Sequence, residues 1–328
     1  MRISTDRRAA VKKLKSLVLS SKSDVDSFRV KLDKKFRVEF LPNRVELAQR
    51  NYSGVKCDFL VPEIYAANRI MIYIHGGSFV GGSRESYRGF CSVLANASSA
   101  RLVLPEFRLA PSYTFPSSIE DVETVLAGVM KEFTVKGENG MESRPEIILA
   151  ADGSGATMAT AVAYRMESRK RSCISKIVLF SPWLDLAPDS PTLAKKSRDE
   201  ILSAEDLRHA ADIYTYSSNI LNRQVSPLRG TSEELENFPE VYIQCGGREL
   251  LALQAEEFHD LLKNNGIRCT LDITSDMMYM FQMADEFLVE SHEAVERAGN
   301  FINRQEGLTP SEEEERHRLV KENNITTE

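Results

Sequence analysis

Three features of this 328-residue sequence predict an α/β fold around a mostly parallel sheet. Eight short apolar runs have the length and β-branched content of strands. Helix-length amphipathic segments separate the later runs, the spacing of right-handed strand-helix-strand crossovers. Glycine-rich or polar tips follow directly on several of the runs, where an open parallel sheet gathers its ligands.

Taken in order, FRVEFL (36–41) and VKCDFLV (55–61) read as an antiparallel pair at the sheet edge, because only a short polar segment separates them. IMIYI (70–74), RLVLPE (101–106), EIILA (146–150), KIVLF (176–180), EVYIQCG (240–246) and CTLDIT (269–274) complete the set. SIEDVETVLAGVMKEF, ATMATAVAYRMES and ALQAEEFHDLLKNN read as crossover helices. Residues 1–30 and an insertion at about 187–230 do not fit the repeating unit, so they are expected to form a helical cap on a main domain spanning 31–304. The charged, aromatic-free tail at 305–328 is expected to be disordered.

A formal net charge of -6 argues against nucleic acid and membrane surfaces as partners. The basic stretch RRAAVKKLKS (7–16) reads as the solvated face of a covering helix. Five widely spaced cysteines without a CxxC pair suit buried thiols in a reducing compartment. With no apolar run long enough to span a bilayer, a cytoplasmic protein with neither metal nor cofactor is expected.

The chemistry should sit at the strand tips. HGGSFVGGS (75–83) follows IMIYI, and its glycines let main-chain N–H groups approach an anion or a developing oxyanion; Gly76 and Gly77 are the natural donors. The segments PEFRLAPSYTFPSSIEDV (105–122), ADGSGA (151–156), SPWLDL (181–186) and SPL (226–228) then occur in order. Together these five segments resemble the hormone-sensitive-lipase-like, or GDXG, esterases of the α/β-hydrolase fold. The resemblance implies an eight-stranded sheet, a helical cap, and an oxyanion site involving His75, Gly76, Gly77, Ser78 and the N–H of Ser154.

In that family the nucleophile segment runs G-D-S-A-G-G. Matching Asp152 to its Asp places Gly153 at the serine position. The alternative frame makes Ser154 the nucleophile, but it puts Asp152 at a position that needs a small residue, whereas the first frame puts Ala151 and Gly155 there. The same matching puts Glu249 at the triad acid and Tyr279 at the triad base. A phenol with an ordinary pKa of ~10 is a poor base beside an imidazole at ~6.5. Of the five histidines only His209, in the cap segment, has a route to the site; the methionines around Tyr279 read mainly as core.

These residues point to an esterase homologue that is catalytically inactive and keeps a pocket for a small hydrophobic or acyl-like ligand, or for a protein partner. Plant gibberellin receptors resemble the same esterases and bind through such a pocket. The alternative is an active carboxylic-ester hydrolase using Ser154. A homodimer is left open by the sequence.

Overall fold

The computed structural model describes residues 6–42, 44–137, 140–194 and 199–304. The helices, in chain order, are α1 (Arg7–Leu14), α2 (Val25–Phe36), α3 (Arg84–Ala97), α4 (Ser117–Phe133), α5 (Ser154–Arg165), α6 (Ser168–Arg171), α7 (Pro191–Ala194), α8 (Ala204–Tyr214), α9 (Ser232–Leu235), α10 (Ala252–Asn264) and α11 (Val289–Asn303). The strands are β1 (Glu46–Tyr52), β2 (Val55–Val61), β3 (Arg69–Ile74), β4 (Arg101–Pro105), β5 (Val135–Lys136), β6 (Glu142–Ser143), β7 (Glu146–Asp152), β8 (Ile174–Phe180), β9 (Glu240–Gly246) and β10 (Cys269–Thr274).

Eight strands form one sheet in the order β1-β2-β4-β3-β7-β8-β9-β10. All pairings from β4 through β10 are parallel, and β1–β2 and β2–β4 are antiparallel. The central strands β3, β7 and β8 are buried almost throughout, as continuous apolar runs demand when helices cover both faces. The expected antiparallel edge is present, but its outer strand is ELAQRNY rather than FRVEFL. Phe36 instead ends α2, where it is buried with Phe28 and Leu32 on a helical period, while Phe40 is exposed. ELAQRNY hides its strand character because, at an open edge, most of its residues are polar and only Tyr52 is buried.

The three crossover helices read from sequence appear as α4, α5 and α10. Helix α1 buries Ala10, Lys13 and Leu14 and leaves its other basic residues at or near the surface, as a covering helix should. The N-terminal helical segment continues past residue 30, since α2 runs to Phe36. Helices α7 and α8 lie in the insertion between β8 and β9. The charged tail from 305 lies outside the described residues. No described helix is long and apolar enough to cross a membrane, and no His/Cys/Asp/Glu cluster that could hold a metal occurs among the described residues.

Candidate active site

Strand β7 ends at Asp152, and α5 begins at Ser154. The turn between them is a single residue, Gly153, at φ +47° and ψ −118°. A side chain is rarely held in that backbone region, and glycine adopts it without strain. The turn is clamped by main-chain bonds: Gly153 N–H donates to Phe180 O (3.0 Å), and Trp183 N–H donates to Gly153 O (3.0 Å). Gly155 lets α5 approach β3 so closely that a Cβ there would overlap the Ile74 carbonyl.

Facing this turn is Tyr279, in the loop after β10, 4% exposed. A Cβ built on Gly153 would overlap the Tyr279 hydroxyl. Burial, with Asp152, Glu249 and Asp199 nearby, pushes the phenol well above its ordinary pKa, so it stays neutral. The next residue, Met280, has φ +52° and donates its N–H to Ser181 Oγ (3.0 Å). Ser181 Oγ donates in turn to Glu249 Oε2 (2.8 Å), which also accepts from Gly246 N–H (2.9 Å). Glu249 Oε1 is buried and without a hydrogen-bond partner, and desolvation raises this carboxyl to about 8. The acid and base positions are therefore brought together on the tips of β8, β9 and β10, with Ser181 as the hinge between them.

The glycine-rich loop after β3 carries three successive residues of positive φ: Gly77 (+103°), Ser78 (+57°) and Phe79 (+63°). Gly76 is not an available donor, contrary to the expectation from sequence. Its N–H is spent on Asp152 Oδ1 (2.9 Å), because that buried carboxylate needs every donor it can reach. Tyr73 OH (2.8 Å) and Tyr87 OH (3.0 Å) satisfy the rest of Asp152, which burial nonetheless raises to about 6. The N–H groups of Gly77, Ser78 and Ser154 have no acceptor among the described residues. His75 is stacked between Tyr87 and Phe107 (centroids 5.0 and 4.3 Å) and touches Gly76 O through Nδ1 (2.8 Å); burial lowers its pKa.

The Oγ of Ser154 accepts from Phe79 N–H (3.1 Å), tying α5 to the glycine-rich loop. It has no histidine or carboxylate partner among the described residues. Over the loop, Phe79 stacks on Tyr214 of α8 (3.8 Å) and meets Trp183 at a tilt of 49° (5.2 Å), and Leu19 N–H donates to Ser78 Oγ (3.0 Å). The insertion between β8 and β9 and the N-terminal segment thus both rest on this loop.

A family model described as the alpha/beta hydrolase fold matches residues 71–283, which take in the glycine-rich loop, the Gly153 turn, Glu249 and Tyr279 but not the N-terminal segment. The chain belongs to the α/β-hydrolase fold family. Among its relatives, an acetyl-hydrolase of Streptomyces hygroscopicus is 27% identical over 71% of this chain and 75% of its own. An esterase of Acinetobacter venetianus is 25% identical over 72% and 75%. An esterase from the bacterial hormone-sensitive lipase family superposes with a TM-score of 0.81 at 21% identity, covering 94% of this chain and all of its own. A hyperthermophilic esterase from Pyrobaculum calidifontis gives 0.78 at 26% identity over 92% and 98%. Within the α/β-hydrolase fold, the chain is thus similar to proteins named as esterases and acetyl-hydrolases.

Several residues that support this α/β-hydrolase site do not stand out in the sequence as site residues. Tyr73 and Tyr87 look like core, and only the fold brings them to Asp152. Ser181 lies inside the SPW segment, where its neighbours give a signal but no role. Ser226 of SPL accepts from Leu186 N–H (3.0 Å) and donates to Ile220 O (2.7 Å), closing the base of the insertion. Arg108 pairs with Asp121 (2.8 Å) and holds the PEFRLAPSY loop against α4. His209 is half-buried on α8 and does not line the cavity between the N-terminal segment and the insertion.

Proposed function

We propose that this α/β-hydrolase is catalytically inactive and holds a small hydrophobic or acyl-like ligand beneath its cap. The observation that carries the reading is the Tyr279 hydroxyl in the space of a side chain at Gly153. Acyl transfer needs a nucleophile and a base acting as a unit, and losing one member alone costs roughly 10⁴-fold or more. The binding half of the reading is supported by the unspent N–H groups of Gly77, Ser78 and Ser154, which suit a carbonyl or carboxylate oxygen. A cavity of about 440 Å³ lies between the N-terminal segment and the insertion, where Val18, Phe28, Ile201 and Leu202 stand among Lys15, Lys31, Asp199, Glu200 and Asp206; Gly77, Ser78 and Ser154 do not line it. The free cysteines fit a reducing compartment such as the cytoplasm.

The second reading, an ester hydrolase acting through Ser154, is favoured by the names of the relatives, which are esterases and acetyl-hydrolases. A panel of short-chain p-nitrophenyl esters separates the two. Wild-type protein is expected to show no turnover above background. Turnover abolished by Ser154→Ala would overturn the inactive reading. Native mass spectrometry of the purified protein reports on retained ligand: an adduct lost on Ser78→Trp supports binding, and a bare protein even after incubation with octanoate argues against it.

A further inference from the structure

Far from the strand tips, α4 and the turn from α5 into α6 enclose a groove of about 790 Å³ beside the small β5–β6 hairpin. Its apolar surface comes from Leu126, Met130 and Met166, with Cys173 in the wall. Its charged rim opposes the sign of the whole chain: Lys131, Lys136, Arg144, Arg169 and Lys170 (+5) against Glu123, Glu142 and the Glu167 that pairs with Arg169 and Lys170 (−3) leave +2, in a protein of net charge -6. Lys131 and Arg144 are exposed and have no ion-pair partner among the described residues. Clustered positive charge over an apolar floor selects an acidic segment that also carries apolar residues.

We propose that the groove is the docking site of this chain's own acidic segment, Glu312–Glu315. The described chain ends close to it. Asn303 Oδ1 accepts from Arg69, and Arg69 pairs with Glu146 (2.9 Å), two residues beyond Arg144. The carbonyl of Arg304 accepts from Lys176 Nζ (2.9 Å), on the strand that starts directly after Cys173. Seven residues lie between Arg304 and Glu312, enough to span up to ~25 Å. Four consecutive glutamates supply the charge the rim lacks, and Leu319 and Val320 follow them as apolar matter for the floor. Tethering makes weak surface charge pairs effective, since the local concentration of a segment on a short linker is in the millimolar range.

Cys173 is a built-in reporter, half-buried in the groove wall, and Cys269 is an equally half-buried control outside the groove. The full-length chain is labelled with an uncharged maleimide, and each thiol is followed by peptide mass spectrometry. Changing all four of Glu312–Glu315 to Gln is expected to speed labelling of Cys173 by about threefold or more, with Cys269 unchanged. Lys131→Glu should do the same, and combining it with Glu312–Glu315 changed to Lys should restore the slow rate. An unchanged Cys173 rate in the glutamine variant overturns the proposal. So does protection that deepens with protein concentration, which would make the occupant the segment of a second copy.

Discussion

The hydroxyl of Tyr279 and the α-carbon of Gly153 face each other so closely that a methyl group on the glycine would overlap the phenol oxygen. The two positions are one steric unit: a side chain cannot be added at Gly153 while the Tyr279 hydroxyl keeps its place. Tyr279 cannot swing away cheaply, because it is buried and the following Met280 is anchored on Ser181. Gly153→Ser alone is therefore expected to destabilise the fold by ~1–3 kcal/mol, from overpacking plus a side chain at positive φ. Tyr279→Phe, which removes only the hydroxyl, should recover part of that loss. Urea unfolding of the two single variants and the double gives the coupling, expected at ~1 kcal/mol or more. Strictly additive costs would mean the two residues do not compete for the same space.

Restoring both family residues asks more of the site. An imidazole is shorter than a phenol, so Tyr279→His opens room beside Gly153→Ser. Glu249 Oε1, buried and unpaired, is the acceptor that an imidazole N–H requires. The double variant is expected to hydrolyse p-nitrophenyl acetate at least ~10²-fold faster than either single one, because the nucleophile and base work only together. Adding Glu249→Gln should take most of that gain away. Equal background rates in all three variants would show that the surroundings of the old triad have been remade.

The sequence made much of this legible, for identifiable reasons. Continuous apolar runs in β3, β7 and β8 reflect burial on both faces, so their strand identity survives in any window. The smallness of the residues around the turn is a local constraint and so is legible: Gly155 sits against the Ile74 carbonyl. The outer strand β1 was not readable, because an edge strand facing solvent carries too few apolar residues to reveal its period. FRVEFL drew the strand reading instead, although its Phe36 completes the apolar face of a helix begun eleven residues earlier at Val25. The destination of the Gly76 N–H was equally out of reach, since it depends on Asp152 being brought 76 residues back to meet it. Polar pairings across such distances leave no periodic trace.

Ser154 offers a smaller test with a clear division of outcomes. Its hydroxyl accepts the Phe79 N–H at 3.1 Å in a buried setting, so Ser154→Ala leaves that donor unpaired. A stability loss of about 1–2 kcal/mol is expected in thermal or urea unfolding. Ester turnover should not change. A variant as stable as wild type would remove the structural role assigned to this hydroxyl.

The most distinctive prediction concerns pH, because buried carboxyls give the fold a preference for acid. Burial raises Glu249 from its ordinary 4.5 to about 8, so the folded chain keeps a proton that the unfolded chain releases. That stabilisation is complete below the unfolded value and is lost as pH rises through the folded one. Within the window each unit of pH costs up to ~1.4 kcal/mol. Asp152, raised from 3.8 to about 6, adds a second window on the acid side. Glu249→Gln keeps an oxygen for Gly246 N–H and Ser181 but holds no titrating proton. It should flatten the loss of stability between pH 6 and 8 and roughly halve the slope between about 4.5 and 6, where Asp152 titrates as well. Tm recorded at half-unit intervals for the two proteins decides the matter: curves that run parallel across both windows would mean Glu249 is already ionised in the fold.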